Sequence, residues 1–237
     1  MSFFRPATGR ITTANSLLAA LPRRDYLRLL PLLEPVKLTF GEILHEAGDP
    51  VLHVYFPEDA LASLLDSVDS RHSLEIGLVG REGMVGIALA LGVAITPLRA
   101  LVQAGGTAMR MGSTRFRHEL LRSVSLQRGL HRYAHVLMTA VTRTVACNRL
   151  HVIEARLARR LLMTRDLLQS ERFRLTREFL AHMLGGRRVG VTKAAHALKK
   201  RRLISYSRGS IVIVDSPGLE SASCSCYKLL RDRAVPA

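Results

Sequence analysis

An α+β chain is predicted, with an antiparallel β-roll first, a long helix in the middle and a winged helical unit at the end. Three observations predict it. Apolar bursts cut by glycine run from Val36 to about Arg110, seven residues between Leu126 and Cys147 repeat at spacings of 4 and 3, and two short helical segments flank Gly185-Gly186 ahead of two alternating apolar runs.

The first segment, Ser16 to Leu33, is helical in pattern but broken by Pro22, Pro31 and Pro35. After it, Val36/Leu38/Phe40 and Leu74/Ile76/Leu78 alternate with the period of half-buried strands, and Gly41, Gly48, Gly80, Gly83 and Gly86 supply turns. Short strands at such spacing predict a roll over residues 1–112. A glycine-poor helical regime begins near Ser113. Leu126, Leu130, Tyr133, Leu137, Ala140, Thr144 and Cys147 then form a heptad seam, the pattern by which one helix pairs with another. Pairing in a homodimer is the favoured reading of residues 113–148; the alternative is a helix lying on the roll of its own chain. A further helix, about Ile153 to Gln169, puts Ile153, Leu157, Leu161 and Leu168 on one face and Arg156, Arg159 and Arg160 elsewhere.

Charge divides the chain. Residues 1–112 hold 10 Lys+Arg against 11 Asp+Glu, while residues 113–237 hold 25 against 8, so the second half carries the whole excess behind the net +16. A polyanion bound by one domain explains such asymmetry better than general basicity. A membrane is the weaker candidate, because the longest uncharged apolar run, Gly86 to Ile95, is 10 residues and a span needs about 18–20. With no secretory signal in MSFFRPATGR, a cytoplasmic protein is expected.

The unit LTREFLAHMLGGRRVGVTKAAHALKKRR, residues 175–202, has the spacing of a helix-turn-helix within a domain spanning 149–237. Thr176 caps a first helix, Ala181 is small where two helices cross, and Gly185-Gly186 closes the turn. Val191, Ala194, Ala195 and Leu198 give the second helix its inner face. Its outer face keeps Arg188, Val189, Thr192 and Lys193, which would reach base edges of double-stranded DNA, along with His196 and Lys199. Thr176, Arg177, Arg187 and Lys199 would hold phosphates. Two alternating runs around Arg208-Gly209 then make a wing whose tip offers Arg208 to a phosphate.

In FGEILHEAGDPVLHVYFPEDA and GREGMVGIALALG, in the long helix, and in the helix-turn-helix with its hairpin, the chain resembles the Crp/Fnr family of transcription regulators over nearly its whole length. The resemblance implies a cyclic-nucleotide-binding-like roll, a homodimer and a palindromic DNA site. It also implies an effector pocket at Gly86, Ile87, Leu98 and Arg99, with two departures. Where family members that bind cyclic nucleotides place a Gly-Glu pair on the ribose, this chain has Gly86-Ile87. The phosphate-binding arginine position falls at Leu98, and Arg99, one residue on, would face the other side of a strand. No cyclic nucleotide is therefore expected as a cofactor in the usual way, and a small-molecule effector of another kind is left open. At the DNA surface, Val189 stands where some members have glutamate and Lys193 where they have arginine, so a different half-site is expected.

Three cysteines are too few and too odd in number for a disulfide framework. Cys147 and His151 are four apart and Cys224-Ser225-Cys226 is a tight pair, a poor fit to the usual zinc spacing. Cys147 is read as buried and structural, the pair as incidental, and no metal ligand is assigned. No Gly-x-Ser-x-Gly, P-loop or His-Glu-x-x-His motif is present, and no enzymatic role is expected. The rival to a DNA-binding regulator is a sensor or interaction module whose basic half binds RNA or acidic protein.

Overall fold

The structure, a computed structural model, describes residues 13–67, 73–175, 179–180, 184, 188–207 and 209–231, with the side chain of Arg188 left out. Two short helices, α1 (Ser16–Ala19) and α2 (Arg23–Leu29), and a 3-10 turn at Leu30–Leu32 precede the roll. Asn15 caps α1 by accepting from the Leu18 N–H at 3.2 Å, and its amide donates to the carbonyls of Pro57 and Gly83, each at 2.9 Å. One fully buried side chain thus starts the chain and fastens it to the roll.

Among the described residues seven antiparallel strands make the roll: β1 (Glu34–Leu38), β2 (Ile43–His45), β3 (His53–Pro57), β4 (Leu61–Ser67), β5 (Ser73–Val79), β6 (Leu98–Ala104) and β7 (Gly106–Gly112). They form two sheets, β1-β7-β3 and β2-β6-β4-β5. The alternation read in the sequence is the alternation of faces. Along β6, Leu98, Ala100 and Val102 pack on the interior with Tyr55, Leu64, Val79 and Val85, whereas Arg99, Leu101 and Gln103 point away from it.

Helices α3 (Ser113–Arg122) and α4 (Val124–Leu150) follow. Ser123 caps α4, its Oγ accepting from the Leu126 N–H at 3.1 Å while donating to Asp25 at 2.7 Å. The seam predicted for pairing is turned inward: Leu126, Leu130 and Tyr133 are at most 5% exposed and pack against Val54, Phe56, Met84 and Phe116 of their own chain. Burying the largest apolar residues of the helix on the roll decides the phase. Leu137 packs on the roll as well, while Ala140 and Thr144 are half-buried. The alternative of a helix lying on its own roll therefore describes the first half of α4. The stripe left outside is Arg128, His131, His135, Met138, Thr142, Val145 and Arg149, again at spacings of 3 and 4.

Contact between roll and helix is close at Gly83, where an added Cβ would lie 2.3 Å from the Tyr133 ring. Gly83→Ala is expected to cost about 1–3 kcal/mol in urea unfolding, because ring and helix must move off the roll. At Gly129, inside α4, an added Cβ meets nothing within 4 Å. Gly129→Ala should instead stabilise by about 0.5–1 kcal/mol through helix propensity. Equal effects from the two substitutions would contradict the packing.

Beyond a break at His151-Val152 comes α5 (Ile153–Leu168), then β8 (Arg172–Arg174), α6 (Arg188–Lys200), β9 (Ile204–Ser207), β10 (Ser210–Ile213), α7 (Ser216–Ala222) and α8 (Cys226–Arg231). A three-stranded sheet, β8-β10-β9, backs the helices, and its three-residue strand β8 is too short to be read from alternation. A second core, centred on Leu157, Leu161, Leu180, Leu198, Ile211 and Tyr227, holds this part together. Among the described residues no helix is long and apolar enough to cross a membrane.

Candidate nucleic-acid interface and its connection to the roll

Helix α6 divides sharply by face. Val191, Ala194, Ala195 and Leu198 are buried against α5 and the sheet, while Val189, Lys193, His196, Lys199 and Lys200 are exposed and Thr192 is half-buried. Valine at 66% exposure on a helix start has no packing reason to be there. Arg188 is the first residue of α6. Lys199 Nζ donates to the Tyr206 carbonyl at 3.4 Å, which holds the outer face of α6 beside strand β9. Thr176, Arg177, Ala181, Gly185, Gly186, Arg187 and the wing tip Arg208 lie outside the described residues. The hairpin around that tip pairs in register from Ser210↔Ser207 to Ile213↔Ile204, with Gly209 at φ +79.

Residues 155–222 match the family model of the Crp-like helix-turn-helix domain. The chain carries a Crp-like helix-turn-helix domain on a Crp/Fnr fold. FixK2 from Bradyrhizobium japonicum is similar in structure at TM-score 0.69 and 12% identity, over 81% of this chain and 98% of that one. A CRP-family transcriptional regulator from Thermus thermophilus gives 0.66 at 20% identity, covering 79% and 96%. The c-di-GMP responsive global regulator CLP of Xanthomonas campestris gives 0.66 at 15%, covering 81% and 99%. No curated protein matches the chain by sequence.

Within this Crp/Fnr fold the predicted effector positions have other partners. Gly86 has φ +92, and a Cβ there would press on Val51 and Val54 at 3.2–3.3 Å, so close packing explains the glycine. Ile87 opens a 3-10 turn and packs on the core beneath α4. Leu98 joins the roll interior, and Arg99 on the opposite face pairs with Glu46 at 2.5 Å. A cavity of about 410 Å³ lies instead between β5, α4 and α5, lined by Ile76, Leu78, His135, Thr139, Arg159 and Met163 among others.

The arginines of α5, which the sequence places merely off the apolar face, are internal: Arg156, Arg159 and Arg160 are 9%, 4% and 3% exposed. Arg160 reaches across to the roll, pairing with Glu75 on β5 and donating to Gln103 on β6 at 2.7 Å. Ser63 on β4 donates to Glu75 at 2.7 Å and also bonds Gln103 at 3.0 Å. Gln103 in turn donates to Thr164 of α5 at 3.4 Å. Burial pushes the Glu75 carboxyl up despite Arg160, and burial brings the Arg160 guanidinium down to about 10, so it stays charged at neutral pH. Arg156, also on α5, donates to the Leu184 carbonyl.

The cysteines require a correction. Spacing alone keeps Cys147 apart from Cys224 and Cys226, but the fold joins them: Cys147 and Cys224 sulfurs are 3.5 Å apart, and Cys226 Sγ is 3.8 Å from His151 Nδ1. Their donor atoms all lie within 4.8 Å of one another.

Proposed function

We propose that the chain is a homodimeric, sequence-specific regulator of transcription that binds duplex DNA through α6 and its wing, acts in the cytoplasm and has no catalytic role. The observation that carries this is the division of α6, in a Crp-like domain, between a buried apolar face and an exposed face bearing Val189, Lys193, His196 and Lys199. Arg188, Val189, Thr192 and Lys193 read bases; Thr176, Arg177, Arg187, Lys199 and Arg208 fix the phosphates. Val189 offers only apolar contact, such as to a thymine methyl, which sets the half-site apart from one read by glutamate.

Selection of bound sites from a random duplex pool tests the reading. A two-fold symmetric site and preference for duplex DNA over RNA are expected; equal affinity for RNA would favour the interaction module instead. On the selected site Arg188→Ala should cost about 1–3 kcal/mol and relax base choice, whereas Arg177→Ala should weaken selected and scrambled DNA alike. Equal losses on both DNAs for Arg188→Ala would overturn its role.

The roll takes no cyclic nucleotide in the usual way, because its interior is filled by Leu98, Tyr55 and Val85 and Arg99 is held outside by Glu46. Calorimetric titration with cAMP or cGMP should give no heat of binding, and micromolar binding of either would refute this.

A further inference from the structure

Cys147 lies in the last turn of α4 and His151 caps its C-terminus, so spacing of four puts both on one face. The chain then turns at Val152 into α5 and returns some seventy residues later, bringing Cys224 and Cys226 from the junction of α7 and α8 onto the same spot. All three cysteines are buried, and His151 is half-buried.

We propose that Cys147, His151, Cys224 and Cys226 form a tetrahedral site for a single zinc-class divalent cation. Bond lengths of about 2.3 Å to sulfur and 2.0–2.1 Å to nitrogen place neighbouring donors of a tetrahedral ion roughly 3.5–3.8 Å apart. Two of the donor pairs here are 3.5 and 3.8 Å apart, and all four donor atoms lie within 4.8 Å of one another. At 3.5 Å the Cys147 and Cys224 sulfurs are far outside a disulfide bond of about 2.05 Å. Three sulfurs and one imidazole are the ligand chemistry of a closed structural zinc site.

Among the described residues the three cysteines form a small buried cluster of their own, with Ala155 as its apolar companion, apart from the larger cores. Three thiolates around a divalent cation leave one negative charge, and Arg159 is placed to balance it. Arg159 is 4% exposed, its charge reaches all three cysteines, and its Nε has no hydrogen-bond partner. Loading the site releases the three thiol protons to solvent, and the imidazole binds neutral.

The consequence is mechanical. The ligands come from the end of the long helix and from the end of the helix-turn-helix domain, so the ion bridges the His151-Val152 break between them. An occupied site fixes the angle at which that domain leaves α4.

Full-length protein purified under reducing conditions without chelator should carry about one zinc per chain by elemental analysis. Exchange for cobalt should give the visible bands of tetrahedral cobalt with strong thiolate charge transfer. Cys226→Ser and His151→Ala should each drop zinc affinity at least about a hundredfold, and chelation should lower the wild-type melting temperature but not that of Cys226→Ser. Because a variant can fail to fold, the wild type decides independently. Less than about a tenth of an equivalent after reconstitution with zinc, with three thiols titrating freely, overturns the site. So does a Cys147–Cys224 disulfide in protein prepared under reductant.

Discussion

Replacing Arg160 with alanine is expected to lower unfolding free energy by about 3–5 kcal/mol, because it leaves the buried Glu75 carboxyl without its partner. The side chains of Arg160 and Glu75 are 4% and 6% exposed, and Ser63, Gln103 and Thr164 take up hydrogen-bonding capacity around them. The pair is therefore dry and shared between α5 and three strands of the roll. Its pH dependence follows from burial. Glu75 already has a raised pKa, and without Arg160 it rises further. A raised folded-state pKa contributes stability below the unfolded value of about 4.3 and loses it as pH climbs through the folded value. The deficit of Arg160→Ala should thus be small near pH 4–5 and full near pH 8, read by urea unfolding across that range. Arg160→Met combined with Glu75→Gln, which leaves no charge behind, should recover most of the loss. A deficit below about 1 kcal/mol, or one flat with pH, would show that the network does not hold the two halves together.

What could be read from the sequence is what depends on local periodicity. The faces of α6 follow from Val191, Ala194, Ala195 and Leu198 at helical spacing, the wing from two alternating runs around Arg208-Gly209, and the outward turn of Arg99 from the two-residue period of a strand. What could not be read depends on where elements meet. A heptad stripe has the same spacing whether it faces a partner or its own roll, and only the bulk of Leu126, Leu130 and Tyr133 hinted at the second. From the sequence Arg160 is placed only off the apolar face of α5, because its partners, Glu75 and Gln103, lie 85 and 57 residues away. Cys147 and Cys224 are 77 residues apart, and neither Cys-x-x-x-His nor Cys-x-Cys is diagnostic until the fold superposes them.

Placing a carboxylate on the outer stripe of α4, by Met138→Glu, is expected to dissociate the proposed homodimer and weaken binding to a two-fold symmetric site about a hundredfold or more. Helix α4 runs 27 residues, and with its first apolar stripe spent on the roll, Met138 and Val145 remain 60% and 62% exposed. They lie with His135 and Thr142 at heptad spacing, which lets the same residues of a second copy meet across a two-fold axis. A glutamate at 138 would be desolvated against its own copy, with the arginines of the stripe, Arg128 and Arg149, 10 and 11 residues away. One reading domain then grips one half-site, and the advantage of two linked contacts is lost while each α6 stays intact. Light scattering should report a monomer, and gel-shift affinity for an isolated half-site should be unchanged. Leu126→Glu, by contrast, should unfold the roll, because that side chain is 2% exposed within its own chain. A dimer that survives Met138→Glu with full affinity for the symmetric site would place the pairing surface on another element.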